Sequence, residues 1–372
     1  MNRIVFLDYL RVIACLMVML VHSCEPFYLG GQGTLILNST DGMWVTLIDS
    51  AIRSSVPLFV MASSYLLFPV REGETKQFYA RRLKRVAIPA LIWLVLYAVV
   101  PLYSEPFEWY SGESIWHNLR HLAFNFPGAA GHLWFVFMLI GIYLVMPILS
   151  PWAERLTKRG ERWFLGLWVF TTLIPFWRYF AQQYTGEAQV MGEANWNEFG
   201  LFYGVSGFMG YVMLGHYLRT HVPQLSWGRT LGISLPLLLV GYAINAGGFW
   251  QAMPTELPYD GPIQTAVRME LTWGFCTLGT VLMTLGYFLI IRRLTAQGAF
   301  YRHVILPISK ASYGMYLMHI FWLCLFVTLL RAHISSTLAV ILLTALCTYV
   351  ASFVSTLVLQ HIPVVGKWIG GK

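Results

Sequence analysis

The chain has 372 residues, of which 57% are hydrophobic and only 11% charged. A soluble domain carries about 25% charged residues, so the composition excludes a water-soluble globular protein and points to a helical, polytopic membrane protein. The net charge of +8 follows from a loop asymmetry described below, and no nucleic-acid partner is expected.

Ten segments are apolar and long enough to cross a bilayer: 4–23, 44–68, 86–103, 132–149, 162–180, 199–218, 230–250, 266–291, 304–330 and 336–359. The predicted fold is an all-α membrane protein, a bundle of about ten transmembrane helices. No loop has room for a second folded domain, so residues 1–372 are expected to form a single integral-membrane domain. No internal repeat is visible.

The first span begins close to Met1, carries Asp8 and Arg11, and has no small-residue cleavage site, so it reads as a retained helix rather than a signal peptide. Within it stand Arg11 and His22. At about 100° per residue, their separation comes to three turns plus roughly 20°, so both leave one helix face, roughly 16 Å apart along the axis. Asp8 and Cys15 share that face. Ionisable groups inside a membrane span mark a functional site. Glu25, one turn beyond His22, supplies the orienting carboxylate of a general base. A plain interfacial hydrogen bond is the competing role for this His, and Pro26 directly after Glu25 leaves the turn geometry open.

In the second span, Asp49 and Arg53 form an i,i+4 pair that either neutralises itself or lines a substrate site. The loop before the third span runs KQFYARRLKRVAIPALIW. Arg82 and Arg85 share a face at the expected start of that helix, with Arg81 and Lys84 beside them. Guanidinium groups at a helix N-terminus suit a phosphate, and anchoring to lipid headgroups is the alternative. His132 opens the fourth span. Arg268 and Glu270 in the eighth span lie two residues apart and do not face each other, so each needs another partner and either could line an acceptor cleft. His319 in the ninth span reads as a satisfied bundle residue. The five cysteines have no paired spacing, and neither a disulfide framework nor a metal site is expected.

Lys and Arg set the orientation. With the N-terminus inside, 18 of the 25 fall on inner segments, and only Arg120, Arg178 and Arg331 lie outside. Both termini are therefore expected to be cytoplasmic. The outer loops EPFEWYSGE and GEANWNE are acidic and aromatic, which suits either carbohydrate contact or interfacial anchoring.

Taken together, LDYLRVIACLMVMLVHS, SSVPLFVMASSYLLF, FYARRLKRVAIPALIW, HLWFVFMLIGIYLVMPIL and SYGMYLMHI resemble, in order, the motifs of membrane acyltransferase family 3, the bacterial integral-membrane O-acyltransferases. The first carries an Arg, ten residues and a His, on Arg11 and His22, with Asp8 at the upstream acidic position. The second has Ser64 where the family more often has Gly. The third matches the paired-arginine motif on Arg82 and Arg85. The opening run and compact length are most similar to the enterobacterial-common-antigen O-acetyltransferase group.

The resemblance implies a protein of the bacterial cytoplasmic membrane that moves an acetyl group from acetyl-CoA to a hydroxyl of a glycan or glycolipid acceptor. Arg82, Arg85, Arg81 and Arg11 would meet the phosphates of the donor. His22, oriented by Glu25, would deprotonate the acceptor or itself take the acyl group. Arg53, Arg268, Glu270 and His132 would line the acceptor side, among membrane lipids. The oligomeric state is left open, a homo-oligomer included. A proton-coupled secondary transporter is the competing reading, since intramembrane charges and broken helices suit it too. A flippase-like or scaffolding partner in glycan assembly is a third.

Overall fold

A computed structural model describes residues 3–71, 73–100, 112–126, 128–187, 190, 204–363 and 366–369. The predicted outer-loop runs EPFEWYSGE and GEANWNE fall almost entirely outside these residues. The helices are α1 (Val5–Cys24), α2 (Ser39–Ile52), α3 (Ser55–Leu67), α4 (Thr75–Val99), α5 (Gly112–His121), α6 (Trp134–Arg155), α7 (Lys158–Thr171) and α8 (Ile174–Thr185). They continue as α9 (Phe208–His221), α10 (Trp227–Ala252), α11 (Ile263–Met269), α12 (Leu278–Ile291), α13 (Leu306–His333), α14 (Thr337–Gln360) and α15 (Gly366–Ile369).

Among the described residues, seven helical segments are long and apolar enough to span a membrane, and the α11–α12 region, bent by 47°, makes an eighth. The other two predicted spans, 86–103 and 199–218, overlap α4 and α9, which are not among these segments; residues 101–103 and 199–203 lie outside the described residues. The protein is a multi-pass membrane helical bundle. Several spans are pairs of shorter helices. The second breaks between α2 and α3 because Pro57 has no N–H to donate to the carbonyl of Arg53. Asn38, Thr157, Ser226 and Ser336 cap α2, α7, α10 and α14 by accepting from backbone N–H groups that the first turn leaves free.

One feature departs from the all-helical expectation. Strands β1 (Leu29–Gly30), β2 (Gly33–Ile36) and β3 (Tyr259–Pro262) form a small antiparallel sheet in the order β1-β2-β3. The β1–β2 turn needs glycine, since Gly30, Gly31 and Gly33 all have positive φ. The partner strand β3 comes from more than 200 residues away, so local pattern gave no sign of the pairing.

Helix α1 is the axis of the bundle. It packs against α2, α3, α12, α13 and α14 and buries Leu7, Leu10, Ala14, Met17, Val18 and Val21 in the main core. α13 runs parallel to it. Tyr301, in the π-helical turn before α13, bonds Asp8 at one end, and Arg331 reaches the carbonyl of Pro26 at the other. The basic segments gather at the first of these ends. Tyr9 bonds the carbonyl of Ala296, Arg292 that of Val222, Arg219 that of Phe68 and Arg82 that of Leu66.

Candidate active site

A cavity of about 560 Å³ runs along α1 from this basic end toward the opposite one. At the basic end it is lined by Arg11, Arg82, Arg85 and Lys310; deeper in lie His22, Glu25, Arg53, His132 and Glu270. The helix periodicity that placed Arg11 and His22 on one face thus leads both into the same space.

Arg11 owes its freedom to its neighbour. Asp8 is buried and accepts from Arg3 at 2.6 and 2.7 Å, from Tyr301 at 2.7 Å and from Ser309 at 2.6 Å. The carboxylate is saturated, and Arg11 stands 3.7 Å from it with 30% of its side chain exposed. A guanidinium held this way keeps its hydrogen-bonding fork for a ligand.

The two α4 arginines differ in detail from expectation. α4 starts at Thr75, so Arg82 and Arg85 lie inside the helix rather than at its N-terminus, and the backbone N–H groups beside them are committed to the helix. Any phosphate would be met by side chains alone. Arg82 also donates to the carbonyl of Leu66 at 3.1 Å, which fixes it against the end of α3. Arg81 does not join the site. It is 68% exposed, lies 3.7 Å from Glu74, and donates to the carbonyl of Gln77.

At the other end, α1 runs directly into a 3-10 turn, Glu25–Phe27, in which Pro26 takes an early position that needs no N–H donor. The tighter turn folds Glu25 back onto α1, and its carboxylate sits 2.8 Å from Nδ1 of His22. With Nδ1–H donated to Glu25, Nε2 carries the lone pair of a base. Two further imidazoles pack against it. The ring of His319 is 5.1 Å from that of His22, and His132 is 4.9 Å from His319 and 6.5 Å from His22. His319 donates Nδ1–H to the carbonyl of Tyr316 and is fully buried. It is only in part the satisfied bundle residue expected: its Nε2 is buried without a hydrogen-bond partner, and the ring lies directly behind His22. Among the described residues, no group of His, Cys, Asp or Glu is arranged to hold a metal ion.

A polar wall faces this cluster. Arg53 donates to Asp49 at 2.6 Å and to the Tyr28 hydroxyl at 3.1 Å, stands 3.8 Å from Glu270, and lies 4.5 Å over the Trp273 ring. Tyr28 donates in turn to Glu270. The Asp49–Arg53 pair therefore does both things the sequence allowed: it neutralises itself and presents Arg53 to the cavity. Glu270, one-third exposed, has its outer face to the same space. Arg268 points elsewhere, onto Tyr179, with its guanidinium 5.6 Å from that ring. It lines neither this cavity nor the next, because the two-residue step that separates it from Glu270 on the helix turns it outward.

A second cavity of about 370 Å³ lies beyond His22. It shares His22, Glu25, Leu29, His132 and Trp134 with the first. One face of α13 runs past both. Ser309, Ser312, Tyr313 and Tyr316 line the first cavity, and Ile320, Leu323, Cys324 and Val327 line the second. Sequence reading missed this stripe and Lys310 with it. The signal was there, since these positions recur every three to four residues. The run is apolar enough throughout, however, that a membrane span explained it without a site.

Residues 4–359 match the model of a protein family described as an acyltransferase domain. No curated protein and no solved structure matches the chain.

Proposed function

The chain belongs to the acyltransferase 3 family over nearly its whole length, and from that premise we propose an acyl-CoA-dependent O-acyltransferase of the bacterial cytoplasmic membrane. On this reading the enzyme transfers an acyl group, acetyl in its simplest form, to a hydroxyl of an envelope glycan or glycolipid. The opening run's resemblance favours an acceptor of the enterobacterial-common-antigen kind. Family membership favours group transfer over the transporter reading.

The observation that carries the proposal is the single cavity that joins Arg11, Arg82, Arg85 and Lys310 to the His22–Glu25 pair. The residues fit the donor. Coenzyme A is a polyanion with a long neutral arm, and the cavity has cations at one end and hydroxyl-bearing, aromatic and aliphatic side chains beyond them. The arginines bind phosphates through charge-assisted hydrogen bonds. Ser312, Tyr313 and Tyr316 flank the path of the arm. His22 removes the acceptor's hydroxyl proton or takes the acyl group itself, and Glu25 holds the imidazole in the required tautomer. Glu270 and Arg53 supply the hydrogen bonds that a sugar's remaining hydroxyls require. The basic end faces the cytoplasm, where acyl-CoA is made.

Two measurements on the same preparations test this. Calorimetry of acetyl-CoA binding should show at least tenfold weakening in the Arg82→Ala/Arg85→Ala protein, since each charge-assisted hydrogen bond contributes about 1.5–3 kcal/mol. His22→Ala should bind within a few fold of wild type while radiolabelled acetyl transfer falls by about 10²–10⁴. Unchanged binding in a folded double variant, or near-normal transfer without His22, would refute the assignment.

A further inference from the structure

We propose that the second cavity is a pocket for the acyl chain of the donor, so that propionyl and butyryl thioesters bind better than acetyl. This rests on the function proposed above and adds the class of acyl group the site selects. The two cavities adjoin at the site, where His22, His132 and Trp134 line both. For a donor anchored by its phosphates at the basic end and reacting at His22, the second cavity lies on the far side of the reacting carbonyl.

The chemistry of the wall changes at the same point. The α13 stripe carries hydroxyls along the first cavity and only Ile320, Leu323, Cys324 and Val327 along the second. The remaining wall is Pro26, Leu29 and three glycines, with the polar groups of His22, Glu25, His132 and Trp134 only where the second cavity adjoins the first. A hydroxyl-rich acceptor finds few hydrogen-bond partners in such a space, and burying its hydroxyls there unpaired is unfavourable. An alkyl chain fits it. The acceptor has a better place at the polar wall of Arg53 and Glu270, on the first cavity. The two branches beyond His22 thus match the two partners of the transfer.

Gly131 gives the handle for a test. It lines the second cavity, and a Cβ placed on it meets nothing within 4 Å. Leucine at this position would project into the open space that Gly131 borders.

The experiment is calorimetric binding of free CoA, acetyl-CoA and butyryl-CoA to the purified full-length protein, and it needs no acceptor. Each methylene moved from water to an apolar wall changes affinity about fourfold, so butyryl-CoA is expected to bind about fifteenfold tighter than acetyl-CoA. In Gly131→Leu that preference should vanish, with free CoA still bound. Equal affinity of the two thioesters in wild type overturns the pocket, as does a preference that Gly131→Leu leaves intact. Either result would return the cavity to the acceptor. Failure of wild type to bind free CoA would instead strike the proposed function. Should Gly131→Leu not fold, Val327→Ala decides: widening the pocket should raise the preference for hexanoyl-CoA over butyryl-CoA, and an unchanged ratio overturns the proposal.

Discussion

Arg53 shows how one side chain holds a site and a fold together. It is buried against Asp49, which has no solvent exposure, and it spreads its remaining hydrogen-bonding capacity over Tyr28 and the edge of Glu270. Removing one member of a buried ion pair strands the other, at a cost of about 3–5 kcal/mol. Arg53→Leu should therefore lower the thermal midpoint of the detergent-solubilised protein markedly. Adding Asp49→Leu should recover much of that loss, because the stranded carboxylate is gone. A single variant as stable as wild type would show that the pair does not support the bundle. The His22–Glu25 pair at 2.8 Å is different in kind. Both groups line open space, so their loss should be felt in turnover before it is felt in stability.

At the level of elements, close helix approach sets the geometry of the site's frame. α9 crosses α7 at Gly210, where a Cβ would lie within 2.1 Å of atoms of the buried Trp168 ring. Trp168 also donates to the carbonyl of Gly207, tying the start of α9 to α7. Overpacking such a contact costs about 1–3 kcal/mol. Gly210→Val should therefore unfold at lower temperature than wild type in a detergent melt, and Gly232→Val, whose Cβ meets nothing within 4 Å, should not. Equal melting of the two would mean that the α7–α9 contact is looser than its geometry implies. α4 carries a second lesson at this scale. The sequence places its arginines at a helix start because the apolar run begins at residue 86. The polar stretch before it, from Thr75 onward, is also helical, since hydropathy marks where a helix enters lipid and not where it begins.

For the whole molecule, the open question is direction. The basic loops gather at one end of the bundle, where Tyr9, Arg219 and Arg292 knit them together, and that end opens into the cation-lined part of the cavity. In a background without other cysteines, a Cys placed near Lys158 should be shielded from impermeant reagents in intact cells. One near Glu193, which lies outside the described residues, should react. The reverse pattern would invert the bundle and with it the direction of acyl transfer.

Sequence alone determined the membrane-helical class, the position of the seven or eight segments long and apolar enough to span a membrane among the described residues, the common face of Arg11 and His22, and the grouping of charge, because each of these is local or additive. Apolar length and helical period need only neighbouring residues. Tertiary structure decided what meets across the bundle. It folded Glu25 onto His22 despite Pro26, set His319 behind that pair, and brought Glu270 to Tyr28 and Arg53 from more than 200 residues away. It turned Arg81 and Arg268 outward and drew Lys310 in. It also divided the face of α13 between two cavities. Such relations depend on how helices are rotated against one another, and in a chain this uniformly apolar the pattern of hydrophobic residues leaves that rotation undetermined. Packing settles it, through small residues, buried ion pairs and hydroxyl-to-carbonyl bonds between segments far apart in the chain.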